Sequence, residues 1–569
     1  MRIISVAILS GLFFLMPLRA EVRVIPLPAE AKVTRIQTEI KSESHVFDPA
    51  EGVIRLAGAG GESVFFQVVV NVVKDTLDGV SVSLGKLDGP GGATIDDNRT
   101  LEFLCPLVKA YAPSTEAGRA GWYPDPLVPL DNPVRIEPYR RQGIYNQSFW
   151  FEIAIPRGQK AGSYRGRVSV GDVHGEMAAF PVRLKVHGFD LPERQSQYAM
   201  FNCSRGWLSS YYNEDNLGGK SLDEMLAEYF DFMLARGIQP WFNTLIQPEY
   251  ENRGGQLKLS WPNLEWEKHF LGQQAYRRVT FPALPRELEH AMTEEEKFTP
   301  EFKRKVKDWV GGIWEHYKQN GWESKVSFFA PVDEPNTLEA YQELIRWGEL
   351  IKEVDPEINF QVTEQPLPSK PEWPSLAGVA NDWVVHGKSL ESNREELIRV
   401  TGMGQNAVWY ISCDQTWPMA NYFVDEPGID PRAVAWITYR YRLEGMLYWA
   451  VNFWPEVVSP WRDIVTWKRS ECNAPLAGEG SLLYPGEEIE RFCDQNNVSG
   501  PVSSIRFEQL RKGMQDMEYL YLLRQLGLAE QAEKLCMELV VSVHTFSRDP
   551  QRYEEVKARA AELIEGATK

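Results

Sequence analysis

The sequence predicts two unlike domains in tandem, an antiparallel β-sandwich over residues 21–193 and a (β/α)8 TIM-like barrel over residues 194–527, with a C-terminal helical extension over 528–569. Three observations predict this. The chain has 569 residues, too many for one ordinary domain when a domain averages about 150. Its first third holds short alternating apolar runs broken by Gly, Pro and Asp, the pattern of antiparallel strands. From Leu191 onward strand-like and helix-like segments alternate over roughly 330 residues, the size of a (β/α)8 barrel with insertions.

Residues 1–20 open with Arg2, continue through an apolar run and end on the small residue Ala20, which predicts a signal peptide removed after Ala20. No later stretch is long and apolar enough to span a bilayer. The expectation is a protein secreted or periplasmic, according to whether its source has an outer membrane. A formal charge of −18, with no basic stretch, argues against a nucleic-acid partner. The 19 tryptophans supply flat faces of the kind that stack on sugar rings, although most Trp in any protein fill core.

The sandwich strands are expected at 53–57, 63–71, 149–155, 164–170 and 180–186. Glycines in 156–166 suit a hairpin turn, and the proline-rich stretch 121–130 reads as a long loop reaching toward the second domain. Barrel strands are expected at 198–203, 239–246, near 278–281, 325–335, 359–364, 382–386, 406–414 and 445–454. Helices are expected over 222–236, 300–319, 337–354, 395–400, 431–443 and 505–526, the first closed by Gly237 and the second by Asn320 and Gly321. Beyond Leu528 the Lys, Arg and Glu spacing predicts helices with a solvated outer face. The six cysteines are scattered without metal-ligand spacing; Cys472 and Cys493 flank a Gly-rich loop and are the pair that could close in an oxidising compartment. No metal or cofactor is expected.

Active sites of such barrels lie at the C-terminal ends of the strands. The predicted tips carry Asn202 and Arg205, Asn243 and Gln247, Asp333 and Glu334, Glu364, His386, Asp414, and Asn452 with Trp454. Asp333 and Glu334 are the chemical core of this set, because a proton donor beside a permanent anion is what glycosidic bond cleavage needs. The same Asp-Glu-Pro tripeptide also suits a plain helix start, with acids facing the N-terminal dipole. No HExxH, nucleotide-binding glycine loop or GxSxG elbow competes with the pair.

The segments Pro331-Val-Asp-Glu-Pro335, Gly478 to Gly486 and Arg506 to Leu520, with the upstream region around Pro156, Gly162 and Tyr164, resemble glycoside hydrolase family 123, whose catalytic domain was long classed as of unknown function. The resemblance implies a retaining exo-β-N-acetylgalactosaminidase working by substrate assistance on a glycan or glycolipid with a terminal N-acetylhexosamine. Glu334 would then protonate the leaving oxygen and later activate water. Asp333 would orient the 2-acetamido group whose carbonyl oxygen attacks the anomeric carbon. A protein nucleophile would instead stand about 5 Å from the acid and come from another strand, and Asp414 is the alternative for that role. Asn202, Asn243, Glu364, Tyr410 and Asp414 are candidates for binding sugar, and Trp449 and Trp454 for an apolar floor beneath it. A related hydrolase of different specificity, or a carbohydrate-binding protein without turnover, are the competing readings.

Overall fold

The computed structural model describes residues 21–568 apart from residues 243, 274, 290–295, 456–458, 468–474 and 488. The expected signal peptide, Asn243 and Cys472 therefore lie outside the described residues.

Two β-sheets pack face to face in the N-terminal half. One contains Glu21–Pro28, Ser63–Val73, Ile144–Ala154, Thr100–Cys105 and Pro126–Pro129 in that spatial order. The other contains Leu77–Leu84, Gly162–Asp172, Gly175–Asp190 and Val53–Gly60. Phe66, Val68, Phe149 and Phe151 from the first sheet meet Val168, Val170, Val182 and Leu184 from the second. On the opposite face of the first sheet, Phe65 and Trp150 pack with Ile505 from the barrel half of the chain. Burial on both faces is why 63–73 reads as a continuous apolar run. Pairing is antiparallel except between Gly175–Asp190 and Val53–Gly60.

Two local expectations are corrected. The chain at 156–162 turns from one sheet to the other, since Ile144–Ala154 and Gly162–Asp172 lie in different sheets, so the glycines serve a crossover and no hairpin forms. The proline-rich stretch is not a loop: it forms the strands Gly121–Pro124 and Pro126–Pro129. Its prolines are tolerated because these strands are only four residues long and pair in part. The second strand does reach the barrel half, pairing Leu127 with Ser503. Strands Pro501–Ser504 and Tyr484–Pro485 extend the first sheet, so sandwich and barrel share one sheet.

The barrel strands are β1 (Tyr198–Phe201), β2 (Ile238–Pro240), β3 (Val279–Thr280), β4 (Val326–Phe329), β5 (Asn359–Val362), β6 (Asp382–His386), β7 (Asn406–Tyr410) and β8 (Gly445–Tyr448). All neighbours pair in parallel, β8 beside β1, and only β2 and β3 are not laddered. There the Thr280 N–H still points at the Trp241 carbonyl, 3.4 Å away, so the barrel is nearly closed. Met200, Trp241, Val384, Val408, Tyr410 and Leu447 fill its interior.

Helix boundaries follow their caps. Ser221 forms a capping box with Glu224 at the start of α1 (Leu222–Leu234). Thr299 caps α2 (Pro300–Asn320), which Gly321 ends at φ 71°, and Thr337 caps α3 (Leu338–Val354). Next come α4 (Arg394–Gly402), α5 (Asp430–Arg440) and α6 (Ile505–Gln525). The closing helices α7 (Ala529–Leu539) and α8 (Pro550–Ala567) depart from expectation. Their charges do not all face solvent: Lys557 is buried against Glu62 of the sandwich and lies 3.5 Å from Asp516, while Glu554 meets Lys512 at 2.9 Å and Arg432 at 2.8 Å. Spacing alone cannot separate a solvated charge from one neutralised across a domain boundary. Cys493 is a free thiol, so the pairing considered for Cys472 and Cys493 is not formed; Cys413 is disulfide-bonded.

Candidate active site

Strand β4 stops at Phe329, earlier than the sequence suggests, and Asp333 and Glu334 ride on the loop that leads to α3. Pro331 and Pro335 explain the early stop, because proline has no N–H to give a ladder. Both acids are exposed at the C-terminal end of the barrel, while Pro335 is buried and anchors the loop. Glu334 takes φ 43°, a left-handed conformation rare for a residue with a side chain. Such strain persists only where surrounding contacts enforce it.

Those contacts come from two other strands. The Thr363 hydroxyl, just past β5, donates to Asp333 Oδ1 at 2.6 Å and accepts the Glu334 backbone N–H at 2.9 Å. The Tyr410 hydroxyl at the tip of β7 donates to Glu334 Oε1. Burial, with Glu334 and Asp333 close by, pushes the Tyr410 phenol far above its ordinary range and keeps it a donor. The adjacent carboxylates are thus held by different partners.

Next to Tyr410, the His386 ring lies 5.1 Å away edge-on and contacts Asp414 Oδ1 at 3.1 Å. Lys388 donates to the other Asp414 oxygen at 2.9 Å. Burial pushes the Asp414 carboxyl upward, but its bonds with His386 and Lys388 outweigh this and hold it well below the usual carboxylate range. Glu364 is different. Burial raises it to about 7 despite bonds from the Gln365 N–H at 3.1 Å and the Ser369 hydroxyl at 3.3 Å. It braces the loop after β5.

A cavity of about 340 Å³ opens at the same end of the barrel, lined by Asn202, Phe242, Gln247, Phe329 and Pro331 among others. Of the segment that leads from β4 to the acid pair, Ala330 and Pro331 line this cavity; Asp333 and Glu334 themselves do not. Its size falls in the small-molecule range. On the β8 side, Trp449 is half-buried among Trp207, Phe453 and Trp467, with ring centroids 4.8–5.5 Å from it. Trp454 turns the other way. It is buried against Tyr211, Tyr212 and Tyr229, its indole N–H on the Leu483 carbonyl at 3.2 Å, and offers no face to a ligand.

Of the candidates read from sequence, Asp333, Glu334, Tyr410 and Asp414 converge with His386. Asn202 lines the cavity, Glu364 sits behind the loop, Trp449 stands in the aromatic wall, and Trp454 belongs to the core. Asp516 and Glu518 are structural, the first accepting from Arg432 at 2.6 Å and the second from the Ser196 N–H at 2.7 Å. Sequence reading missed Thr363, Lys388, Trp207 and Trp467. Thr363 could have been found as the residue preceding Glu364 at a predicted tip. Trp207 and Trp467 carry no local signal, because Trp207 lies on the short helix Arg205–Leu208 and Trp467 on a loop, neither at a predicted strand tip. No group of three or more His, Cys, Asp or Glu able to hold a metal occurs among the described residues, and no helix among them is long and apolar enough to cross a membrane.

A sandwich fused to a nearly closed parallel barrel, with acids and aromatics gathered at the strand C-termini, is the architecture of a carbohydrate-active enzyme. The sequence matches the glycoside hydrolase 123 catalytic domain over residues 269–523 and the glycoside hydrolase 123 N-terminal domain over residues 40–172. The chain belongs to glycoside hydrolase family 123. Its fold is similar to that of a family 123 glycoside hydrolase from Clostridium perfringens studied for glycolipid glycan hydrolysis, with a TM-score of 0.69 over 96% of this chain and 97% of that one at 13% identity. A family 39 glycoside hydrolase from Bacteroides cellulosilyticus WH2 aligns only loosely, with a TM-score of 0.33 at 8% identity over 77% of this chain and 81% of that one. No curated protein sequence matches the chain.

Proposed function

We propose that this glycoside hydrolase is an exported, retaining exo-enzyme that removes terminal β-linked N-acetylgalactosamine by substrate-assisted catalysis. The observation that carries the reading is that the carboxylates of two sequence-adjacent acids have different partners, Asp333 the Thr363 hydroxyl and Glu334 the Tyr410 hydroxyl. Neighbours on one loop are poorly suited to stand across a sugar ring as acid and nucleophile, which come about 5 Å apart from opposite sides. They are well suited to divide the work on one side. Glu334 gives its proton to the glycosidic oxygen and then takes one from water. Asp333 accepts from the acetamido N–H and balances the charge growing there as the carbonyl oxygen closes on the anomeric carbon. The aromatic wall at Trp449 supplies an apolar surface for the ring. Glycolipid glycan hydrolysis by the Clostridium relative makes such a glycan the first natural substrate to try.

The test is a panel of aryl N-acetyl-β-galactosaminide, N-acetyl-β-glucosaminide and plain β-galactoside. Turnover should be confined to acetamido sugars and be best on the first. Equal turnover of the plain galactoside would eliminate substrate assistance. In the same assay Glu334→Gln should lose poor leaving groups while retaining part of its activity on activated aryl ones, and Asp333→Asn should lose both.

A further inference from the structure

Glu479 is a carboxylate with no exposure at all, in a position the chemistry above leaves unused. Burying a carboxylate is expensive unless its oxygens are taken. Here Oε1 accepts the Trp449 indole N–H and, at 3.3 Å, the Tyr448 hydroxyl, while Oε2 accepts the Trp467 indole N–H. Trp449 follows β8, and Trp467 arrives from a loop eighteen residues on. One side chain therefore sets the relative position of two half-buried rings at the barrel mouth. Trp467 itself sits at φ 56°, so it shares with Glu334 a backbone conformation that only enforced contacts maintain.

The turn carrying Glu479 is built to this end. A Cβ on Gly478, at φ 81°, would fall 2.8 Å from the Arg506 guanidinium and from Val424, and a Cβ on Gly480, at φ 71°, would fall 2.5 Å from the Trp449 ring. Both positions thus require glycine, one for the guanidinium and one for the indole. Arg506 donates to the carbonyls of Gly478 at 2.8 Å and Ser481 at 2.6 Å, on either side of Glu479, and pairs with the buried Asp125 of the sandwich at 2.8 Å. The Gly480 carbonyl accepts the Phe453 N–H at 2.9 Å, which draws the third ring into the wall.

The geometry points to Glu479 as a positioning residue for substrate binding, clamping Trp449 and Trp467 so that the wall they form with Trp207 and Phe453 receives the C–H face of a pyranose. This rests on the reading of the barrel mouth as a sugar site. A galacto-configured ring fits such a wall well, because its axial hydroxyl leaves a contiguous C–H patch on one face. A glutamine at 479 would keep one acceptor and turn an amide N–H toward the other indole, releasing one ring of the pair.

The experiment compares the wild type with Glu479→Gln and Trp467→Phe on aryl N-acetyl-β-galactosaminide, alongside tryptophan fluorescence titration with free N-acetylgalactosamine and free galactose. Both variants should raise KM about tenfold with kcat within about threefold, and should weaken the saturable fluorescence change. An unchanged KM in both would overturn the assignment. So would a collapse of kcat at constant KM, which would make Glu479 part of the chemistry. Should Glu479→Gln fail to fold, Trp467→Phe decides, since it leaves the carboxylate bound to Trp449. If the wild type turned over no acetamido sugar yet bound galactose in a manner weakened by Trp467→Phe, the clamp would stand and the substrate reading would fall. Absence of saturable binding by either sugar would overturn the clamp as well.

Discussion

The hydroxyl of Thr363 holds both acids at once, donating to Asp333 at 2.6 Å and accepting from the backbone of Glu334 at 2.9 Å. One atom just past β5 thereby sets the spacing of a pair that belongs to the loop after β4. Thr363→Val removes both bonds while keeping the shape. We expect kcat/KM to fall by about ten- to a hundredfold, with a loss of stability on the order of 1–2 kcal/mol. Thr363→Ser should recover most of the activity. Steady-state kinetics beside thermal denaturation separate the two effects.

Asp414 distinguishes the mechanisms. Held ionised by its bonds with His386 and Lys388, it is an anion at the mouth of the barrel, and its oxygens are already engaged. Under substrate assistance, Asp414→Asn should cost about tenfold in kcat/KM through weaker sugar binding. A loss of several orders of magnitude, restored by added azide, would reveal Asp414 as a nucleophile.

Glu426 should make stability depend on pH. Burial lifts its carboxyl from the ordinary 4.5 to about 7, although Thr115 of the sandwich donates to it. A group raised in the folded state contributes its full stability below about 4.5 and loses it as pH rises through 7, because the unfolded chain ionises first. Glu426→Gln lacks that titration. The difference in stability between variant and wild type should shift in favour of the variant by up to about 3 kcal/mol between pH 4.5 and pH 8. Denaturant melts at both pH values measure it, and a constant difference would contradict the assignment.

Asp125 and Arg506 form a fully buried ion pair between the halves of the chain. Removing one partner leaves the other charge uncompensated, a loss of about 3–5 kcal/mol. Asp125→Asn should lower the melting temperature by several degrees and raise KM through the turn that Arg506 holds. A barrel expressed from residue 194 onward should aggregate, since Pro501–Ser504 would lose its pairing with Pro126–Pro129.

The order of strands and helices was legible because several helices carry their own start or stop: Ser221, Thr299 and Thr337 as caps, Gly237 and Gly321 as ends. The acid pair was legible because Asp-Glu-Pro closes an apolar run at a predicted tip. Local periodicity and capping act over a few residues, so they are written in consecutive positions. The sequence by itself therefore determined the order of the barrel strands along the chain, the family, and that the two acids follow the fourth strand. Only the tertiary structure decided which partners those acids have, that Trp454 faces the core while Trp207 and Trp467 reach the mouth, and that Glu479 bridges two indoles. The physical reason is range: a hydrogen bond between residues brought together by barrel closure depends on where distant loops end in space, and no periodic pattern along the chain encodes that meeting.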